Sequence, residues 1–310
     1  MRILVTGAAG YLGSVIVPKL LARGYHVIAL DNFLYRNPSL GACCNYAQFE
    51  LVNGDIRDEG LMRKLVSQAD VVIPLAALVG APLCKADPVG AKTINLDAQL
   101  MLLKLLSPQQ RVLMPITNSG YGVGDEGKFC TEESPLRPVS DYGKYKVEVE
   151  KAMMDRGNAI SFRLATVFGM SPRPRLDLLV NDFVYRAYYD RSLVVFEGHF
   201  KRNYISIHDV AAVFLRGVQD FDLMADNIYN VGLSSANLSK LALCAAIQEH
   251  IPEFWYVESP IGFDEDRRDY IVSNQKLESL GWKPLYSLDD GIRELIRGMP
   301  MLKKNQYGNV

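Results

Sequence analysis

Residues 2–13 read Arg2-Ile3-Leu4-Val5-Thr6-Gly7-Ala8-Ala9-Gly10-Tyr11-Leu12-Gly13, and the fold follows from how this run is parsed. Ile3, Leu4 and Val5 make a short unbroken apolar stretch, the pattern of a strand buried on both faces. Glycines at intervals of three come next. Tyr11 to Arg23 then carries apolar residues at Leu12, Val15, Ile16, Leu20 and Leu21, which predicts a helix. A strand that passes through a glycine turn into a helix suits a dinucleotide pyrophosphate. Gly7 permits the tight turn, Gly10 lets the backbone approach the phosphates, and Gly13 lets the helix pack on the strand. The helix N-terminus offers N–H groups and a partial positive charge. His26 to Leu30 reads as a second strand ending in Asp31, whose carboxylate can take both hydroxyls of an adenosine ribose and repels a 2′-phosphate. Asn32 and Phe33 follow, with no basic residue directly after the aspartate, so NAD is expected over NADP.

Outward from this unit, strands are expected at 48–52, 71–75, 112–116 and 160–164, and helices at 59–68, 87–106 and 140–156. Strand and helix alternate without a break. This predicts an α/β fold, a Rossmann-type doubly wound parallel sheet over residues 1–170, with a smaller C-terminal substrate-binding lobe over 171–310. In the lobe, helices are expected at 176–189, from 208, at 238–250 and at 273–280, with strands at 193–196, 203–207 and 228–231. The 203–231 region is expected to return to the Rossmann sheet.

Over 310 residues, 49% apolar and 22% charged composition suits a globular chain with ample core. A net charge of −1 gives no broad basic field, so no nucleic-acid partner is expected. The longest apolar tract, Val71 to Leu83, is broken by Pro74, Gly80 and Pro82, so no membrane span is expected. Five cysteines without a C-x-x-C pair, and a first strand starting at residue 2, point to a reducing cytoplasm. Four scattered histidines give no ligand-spaced cluster, and no metal is expected.

The sharpest chemical signal is Tyr142-Gly143-Lys144-Tyr145-Lys146. Residues four apart share a helix face, so Tyr142 and Lys146 point the same way. An ammonium beside a phenol draws the phenol pKa down towards the range of a general base. The same lysine can donate to the nicotinamide ribose. Thr117, at the end of the fifth strand, is placed to share a substrate hydroxyl proton with Tyr142. Asp55 can accept from the adenine amino group, and Ala76-Ala77 leaves room for a cofactor backbone.

Together Gly7-x-x-Gly10-x-x-Gly13, the Thr117–Gly122 block and Tyr142-x-x-x-Lys146 resemble the extended short-chain dehydrogenase/reductase family. Within it they resemble the NAD-dependent epimerase/dehydratase branch, which acts on nucleotide sugars. The likeness runs along nearly the whole chain. It implies that Tyr142 is the base, Lys146 its activator and ribose anchor, and Thr117 an accessory hydroxyl. It implies cofactor contacts at Gly7, Gly10, Tyr11, Leu12, Gly13, Asp31, Asn32, Asp55, Ile56, Ala76, Ala77 and Asn95. Substrate contacts are implied at Thr117, Asn118, Ser119, Thr166 and Asn181. Arg202 looks like the arginine that grips the sugar-nucleotide diphosphate, with Arg267 or Arg268 as a second clamp, since planar guanidinium forks suit phosphate oxygens. For Arg173 and Arg175 a solvated surface role stays open.

Two departures narrow the activity. Dehydratases of this branch follow the threonine with Asp-Glu, whereas Asn118-Ser119 stands here, which disfavours 4,6-dehydration. Thr166 stands where the branch often has an asparagine on the substrate. Residues 73–84, 117–122 and 164–183 are similar to bacterial GDP-heptose 4-dehydrogenases. This likeness implies oxidation of GDP-D-glycero-D-manno-heptose to its 4-keto product. The alternative is a 4-epimerase of the UDP-glucose or UDP-GlcNAc type with a transient 4-ketone. A catalytically silent NAD-binding regulator is a third reading, which the presence of both Tyr142 and Lys146 disfavours. Helices 87–106 and 140–156 resemble those that pair family members into homodimers.

Overall fold

A computed structural model describes residues 1–262 and 268–303. β1 (Arg2–Thr6) runs through the glycine turn into α1 (Gly13–Ala22) and on to β2 (His26–Asp31), β3 (Phe49–Asn53), α2 (Glu59–Val66) and β4 (Val71–Pro74). Asp58 caps α2, accepting from the Leu61 N–H at 3.0 Å. The single helix expected over 87–106 is instead α4 (Pro88–Lys92), a π turn at Thr93–Asp97 and α5 (Ala98–Leu105), preceded by a short α3 (Ala81–Ala86). Pro88 cannot continue α3, and Asp87 caps the new start by accepting from the Gly90 N–H at 2.8 Å. Then come β5 (Arg111–Thr117), β6 (Phe129–Cys130), α6 (Asp141–Arg156) and β7 (Ala159–Leu164). Ser140 caps α6 as expected, accepting from Gly143 at 3.2 Å.

The remaining elements are β8 (Thr166–Phe168), α7 (Leu179–Tyr189), β9 (Ser192–Val195), β10 (Lys201–Ser206), α8 (Ile207–Gln219), α9 (Phe221–Met224), β11 (Asn227–Val231), β12 (Asn237–Ser239), α10 (Lys240–Gln248), β13 (Trp255–Glu258), β14 (Ile271–Val272), α11 (Gln275–Ser279) and α12 (Leu288–Gly298). α7 begins three residues later than expected. Residues 238 and 239, expected as helix, pair with β10 as part of β12. α12 starts at a capping box formed by Ser287 and Asp290. No helix among the described residues is long and apolar enough to cross a membrane.

Seven strands form one parallel sheet in the order β11-β7-β5-β4-β1-β2-β3. Of the 203–231 stretch, β11 joins this sheet beside β7, while β10 lies between β8 and β12 in a separate three-stranded sheet. Side chains on a strand alternate between faces, and the core divides accordingly. Ile3, Val5, Val27, Ala29, Val71, Ile73, Leu113 and Ile160 belong to one buried cluster, with residues of α1 and α8. Leu4, Ile28, Leu30, Val72, Val112, Met114 and Ile116 belong to another, with residues of α2, α5 and α6. Helices thus cover both faces. Strand order reverses between β1 and β4, and open α/β sheets place their ligands at that reversal, beyond the carboxyl ends of the strands.

Candidate functional site

At that reversal a cleft of about 470 Å³ opens across the ends of β1, β2, β4 and β5 and is walled by the C-terminal residues. The glycine turn forms its floor. Gly7 has φ +63°, and a Cβ there would sit 2.6 Å from the Ala76 backbone nitrogen. A Cβ on Gly13 would lie 2.4 Å from the Ala8 carbonyl oxygen, so α1 can approach β1 only with glycine at that position. α1 carries no side-chain cap and no acidic residue in its first turn, which leaves its positive end suited to an anion. Asp31 lines the cleft, its carboxylate accepting from the Ala9 and Phe33 N–H groups at 2.9 and 2.8 Å. Burial raises its pKa above the usual carboxylate range, against the pull of those bonds and of Arg173. These features fit a dinucleotide with its pyrophosphate on α1 and its ribose at Asp31.

The cleft brings together most of the expected residues. Gly7, Gly10, Tyr11, Leu12, Gly13, Asp31, Asn32, Asp55, Ile56, Ala76, Ala77, Thr117, Ser119, Tyr142, Thr166, Arg202 and Arg268 all line it. Asp55 is already engaged by Arg57 at 2.7 Å and by Asn32 at 3.3 Å, and its hydrogen bonds to Arg57 hold its pKa down to about 2. An adenine amino group would have to share that carboxylate.

Four expected contacts lie elsewhere. Asn95 is fully buried. The π turn aims its amide at the Leu78 backbone, which it grips by both N–H and carbonyl at 2.8 Å. It shapes the cleft wall without facing it. Asn181 is likewise buried, accepting from Gly169 N–H at 3.1 Å and donating to the Arg175 carbonyl at 2.9 Å. It braces the 169–175 loop, which Tyr11 also ties down by donating its hydroxyl proton to the Gly169 carbonyl at 2.8 Å. The Asn118 side chain is fully buried with neither amide atom partnered, and does not line the cleft. Lys146 is 4% exposed and is not among the residues that line the cleft, its Nζ donating to the Pro115 carbonyl at 3.2 Å. Arg267 lies outside the described residues.

The electrostatics of the pair also differ from expectation. Burial pushes the Tyr142 phenol up to about 12, with Arg175 and Arg268 pulling it down and Cys84 raising it. Burial likewise drives the Lys146 ammonium down to about 8, against an upward pull from Cys84. The phenol thus lies above its ordinary value because of burial, and Lys146 is not among the charges that act on it. The i,i+4 spacing does put both on one side of α6, but Tyr142 lines the cleft while the Lys146 ammonium is bonded to the β5 backbone at Pro115.

Near Tyr142, the Thr117 hydroxyl donates to Ser119 Oγ at 2.9 Å and accepts from the Ser119 N–H at 3.1 Å, and Arg268 bonds Ser119 Oγ from the opposite wall. The turn that carries them is anchored from behind. Arg163 on β7 pairs with Glu150 on α6 at 2.6 Å, both 4% exposed, and donates to the Tyr121 hydroxyl at 3.1 Å. Gln99 donates to the Ala76 carbonyl at 3.0 Å. Arg173 and Arg175 are buried and line the cleft. The Arg173 guanidinium lies 3.8 Å over the Tyr35 ring, joining the loop after β2 to the loop after β8, and Arg175 pairs with Asp177. Lys240 completes the wall. Only the basic, proline-rich run 171–175 signalled any of these in the sequence.

The family model described as the NAD dependent epimerase/dehydratase family matches residues 3–232. The low-salt glycan biosynthesis protein Agl12 of Haloferax volcanii is 28% identical over 309 residues, 96% of this chain and 97% of its own. A putative UDP-glucose 4-epimerase of Methanocaldococcus jannaschii is 28% identical over 319 residues, covering 96% of this chain and 98% of its own. Among solved structures, Thermus thermophilus UDP-glucose 4-epimerase in complex with NAD is 26% identical with a TM-score of 0.82, over 97% of this chain and 99% of that one.

Proposed function

The chain belongs to the NAD-dependent epimerase/dehydratase family, and we propose that within it the protein oxidises C4 of a nucleotide-linked sugar. The observation that carries this reading is that Thr117, Ser119 and Tyr142 open into the same cleft as the glycine turn and Asp31. The glycine turn, the α1 N-terminus and Asp31 would hold NAD. When bound, NAD supplies the hydride acceptor and a positive charge beside the phenol. Tyr142 takes the C4 hydroxyl proton, directly or through Thr117, while Ser119, bonded by Arg268, holds the Thr117 hydroxyl in place. A positioned base of this kind contributes about 10²–10⁴-fold. Lys146, held against the Pro115 carbonyl, keeps the part that the family resemblance implies, activator of the phenol and anchor for the nicotinamide ribose. Arg202 and Arg268 grip the diphosphate.

Dehydration is disfavoured by the residues that follow Thr117. Ser119 offers no carboxyl group, and Asn118 is neither acidic nor in the cleft. The substrate assigned is GDP-D-glycero-D-manno-heptose and the product its 4-ketone, on the likeness of residues 73–84, 117–122 and 164–183 to GDP-heptose 4-dehydrogenases. A second reading, a 4-epimerase, is favoured by the full-length similarity to UDP-glucose 4-epimerases. The same base and hydroxyl serve it. The protein also pairs into a homodimer across α5 and α6, where Met101, Leu105, Tyr145 and Met154 are apolar and only partly buried. Light scattering that shows only monomer at micromolar protein removes that assignment.

The deciding experiment incubates the protein and NAD with GDP- and UDP-linked sugars and reads product mass. A product lighter by two hydrogens supports the 4-dehydrogenase. Unchanged mass with inverted configuration supports the epimerase, and loss of water overturns both.

A further inference from the structure

Lys240 is the first residue of α10, directly after β12, and only 3% exposed, yet it lines the cleft. Its Nζ donates to the Phe196 carbonyl at 2.8 Å and lies 5.5 Å from the centre of the Phe200 ring. Lysines are almost never buried to this degree unless the ammonium meets acceptors. Its position along the cleft can be read from its neighbours. Arg268 bonds Ser119, next to Thr117, and so marks the sugar end. Arg202 stands on β10, opposite Leu238 of β12, two residues before Lys240. Lys240 itself is fastened to the Phe196 carbonyl, and Lys201 of β10 bonds Asp269 and Tyr270 while pairing with Ser239, which sets β10 between the Arg268 segment and Lys240. If a nucleotide sugar occupies this cleft, as proposed above, its sugar lies at Thr117 and Tyr142 and its diphosphate between Arg268 and Arg202. The base then falls at Lys240.

We propose that Lys240 reads the nucleobase and selects a guanine nucleotide. The inference rests on the nucleotide-sugar reading and assigns a residue to the recognition of its base. An ammonium can only donate. Guanine presents O6 and N7 side by side as acceptors, the edge that lysine and arginine recognise most often. Adenine replaces O6 with an amino donor that opposes the ammonium. Uracil offers a single carbonyl at the corresponding edge. The Phe196 carbonyl holds the ammonium at the wall, so little side-chain freedom is lost when a base arrives.

The test measures binding of GDP, UDP and ADP by calorimetry to the wild-type protein, to Lys240→Met and to Lys240→Gln, each checked for folding by thermal melting. The wild type is expected to prefer GDP to UDP and to ADP by about tenfold or more, the low end for a good two-acceptor contact. Lys240→Met is expected to lose about tenfold for GDP and less than about threefold for UDP, which erases the preference. Lys240→Gln, which keeps an N–H donor, retains part of it and serves if the methionine variant does not fold. Equal losses for all three nucleotides would make Lys240 a phosphate ligand and overturn the proposal, as would no loss at all. Failure of the wild type to bind any of the three would instead remove the nucleotide-sugar reading beneath it.

Discussion

Replacing glycines in the first turn separates what the fold demands from what a ligand demands. At Gly7 the protein itself requires glycine. With φ at +63° and a Cβ placed 2.6 Å from Ala76 N and 2.7 Å from Ala76 Cα, alanine there meets left-handed strain and a backbone collision. The strain costs about 1–2 kcal/mol and overpacking about 1–3 kcal/mol, so Gly7→Ala should lose roughly 2–5 kcal/mol. Gly10 is different. Its φ is not left-handed, and the nearest atom to an added Cβ is the Gly7 carbonyl oxygen at 3.1 Å, a contact that small shifts relieve. Alanine there also lowers the entropy of the unfolded chain, worth about 0.4–1 kcal/mol. Gly10→Ala should therefore stay within about 1 kcal/mol of the wild type, near 2 °C in Tm for a chain of this size. Yet Gly10 lines the cleft, where the pyrophosphate approaches the backbone. Calorimetric titration with NAD is expected to show affinity down by about tenfold or more in Gly10→Ala, one methyl in place of close backbone contact. Unchanged NAD affinity in a folded Gly10→Ala protein would refute the placement of the pyrophosphate on this turn.

Removing Glu150 leaves Arg163 charged and buried, so Glu150→Ala should cost about 3–5 kcal/mol in urea unfolding, and a loss below about 1 kcal/mol would contradict the burial of the pair. Lys146 predicts a pH dependence. Its pKa falls from 10.5 to about 8 on folding, so below about pH 8 the folded protein carries an unfavourable buried charge, roughly 3 kcal/mol at most. That cost fades as pH rises from about 8 to 10.5. The stability of Lys146→Met relative to the wild type should accordingly fall across that window in denaturant titrations, and a difference that does not change with pH contradicts it. Arg173→Ala removes the guanidinium over Tyr35, a contact worth about 0.5–2 kcal/mol. Stopped-flow displacement should show NAD leaving about 2- to 30-fold faster if the two loops close over it, and an unchanged rate would leave the stack without that role.

The strands of the large sheet were legible because their signal is local. Alternate residues of Ile3-Leu4-Val5 and of His26–Asp31 serve opposite cores, so a continuous apolar run is what each strand needs. The break at 93–97 was hidden because apolar residues continue through it. The turn coincides with the paired bonds between Asn95 and the Leu78 backbone, 17 residues away, a contact that no local pattern signals. Polar residues were the harder part. Asn118, Asn181 and Asn95 look like ligand contacts in a linear reading, but an asparagine that braces a loop and one that faces a substrate have the same sequence signature. Tyr142 and Lys146 illustrate the limit of helical spacing. It places two residues on one side of α6, but whether each lines the cleft depends on tertiary partners such as the Pro115 carbonyl that takes Lys146. Arg173 and Lys240 belong to the site only because a loop after β8 and the start of α10 fold back over the sheet.

Oxidation in this cleft depends on Tyr142 removing the proton from a sugar hydroxyl. Single-turnover absorbance of reduced nicotinamide, comparing the wild type with Tyr142→Phe on a nucleotide sugar that both bind, addresses this directly. A fall of about 10²–10⁴-fold in the variant's rate with affinity retained is predicted; an undiminished rate would contradict it.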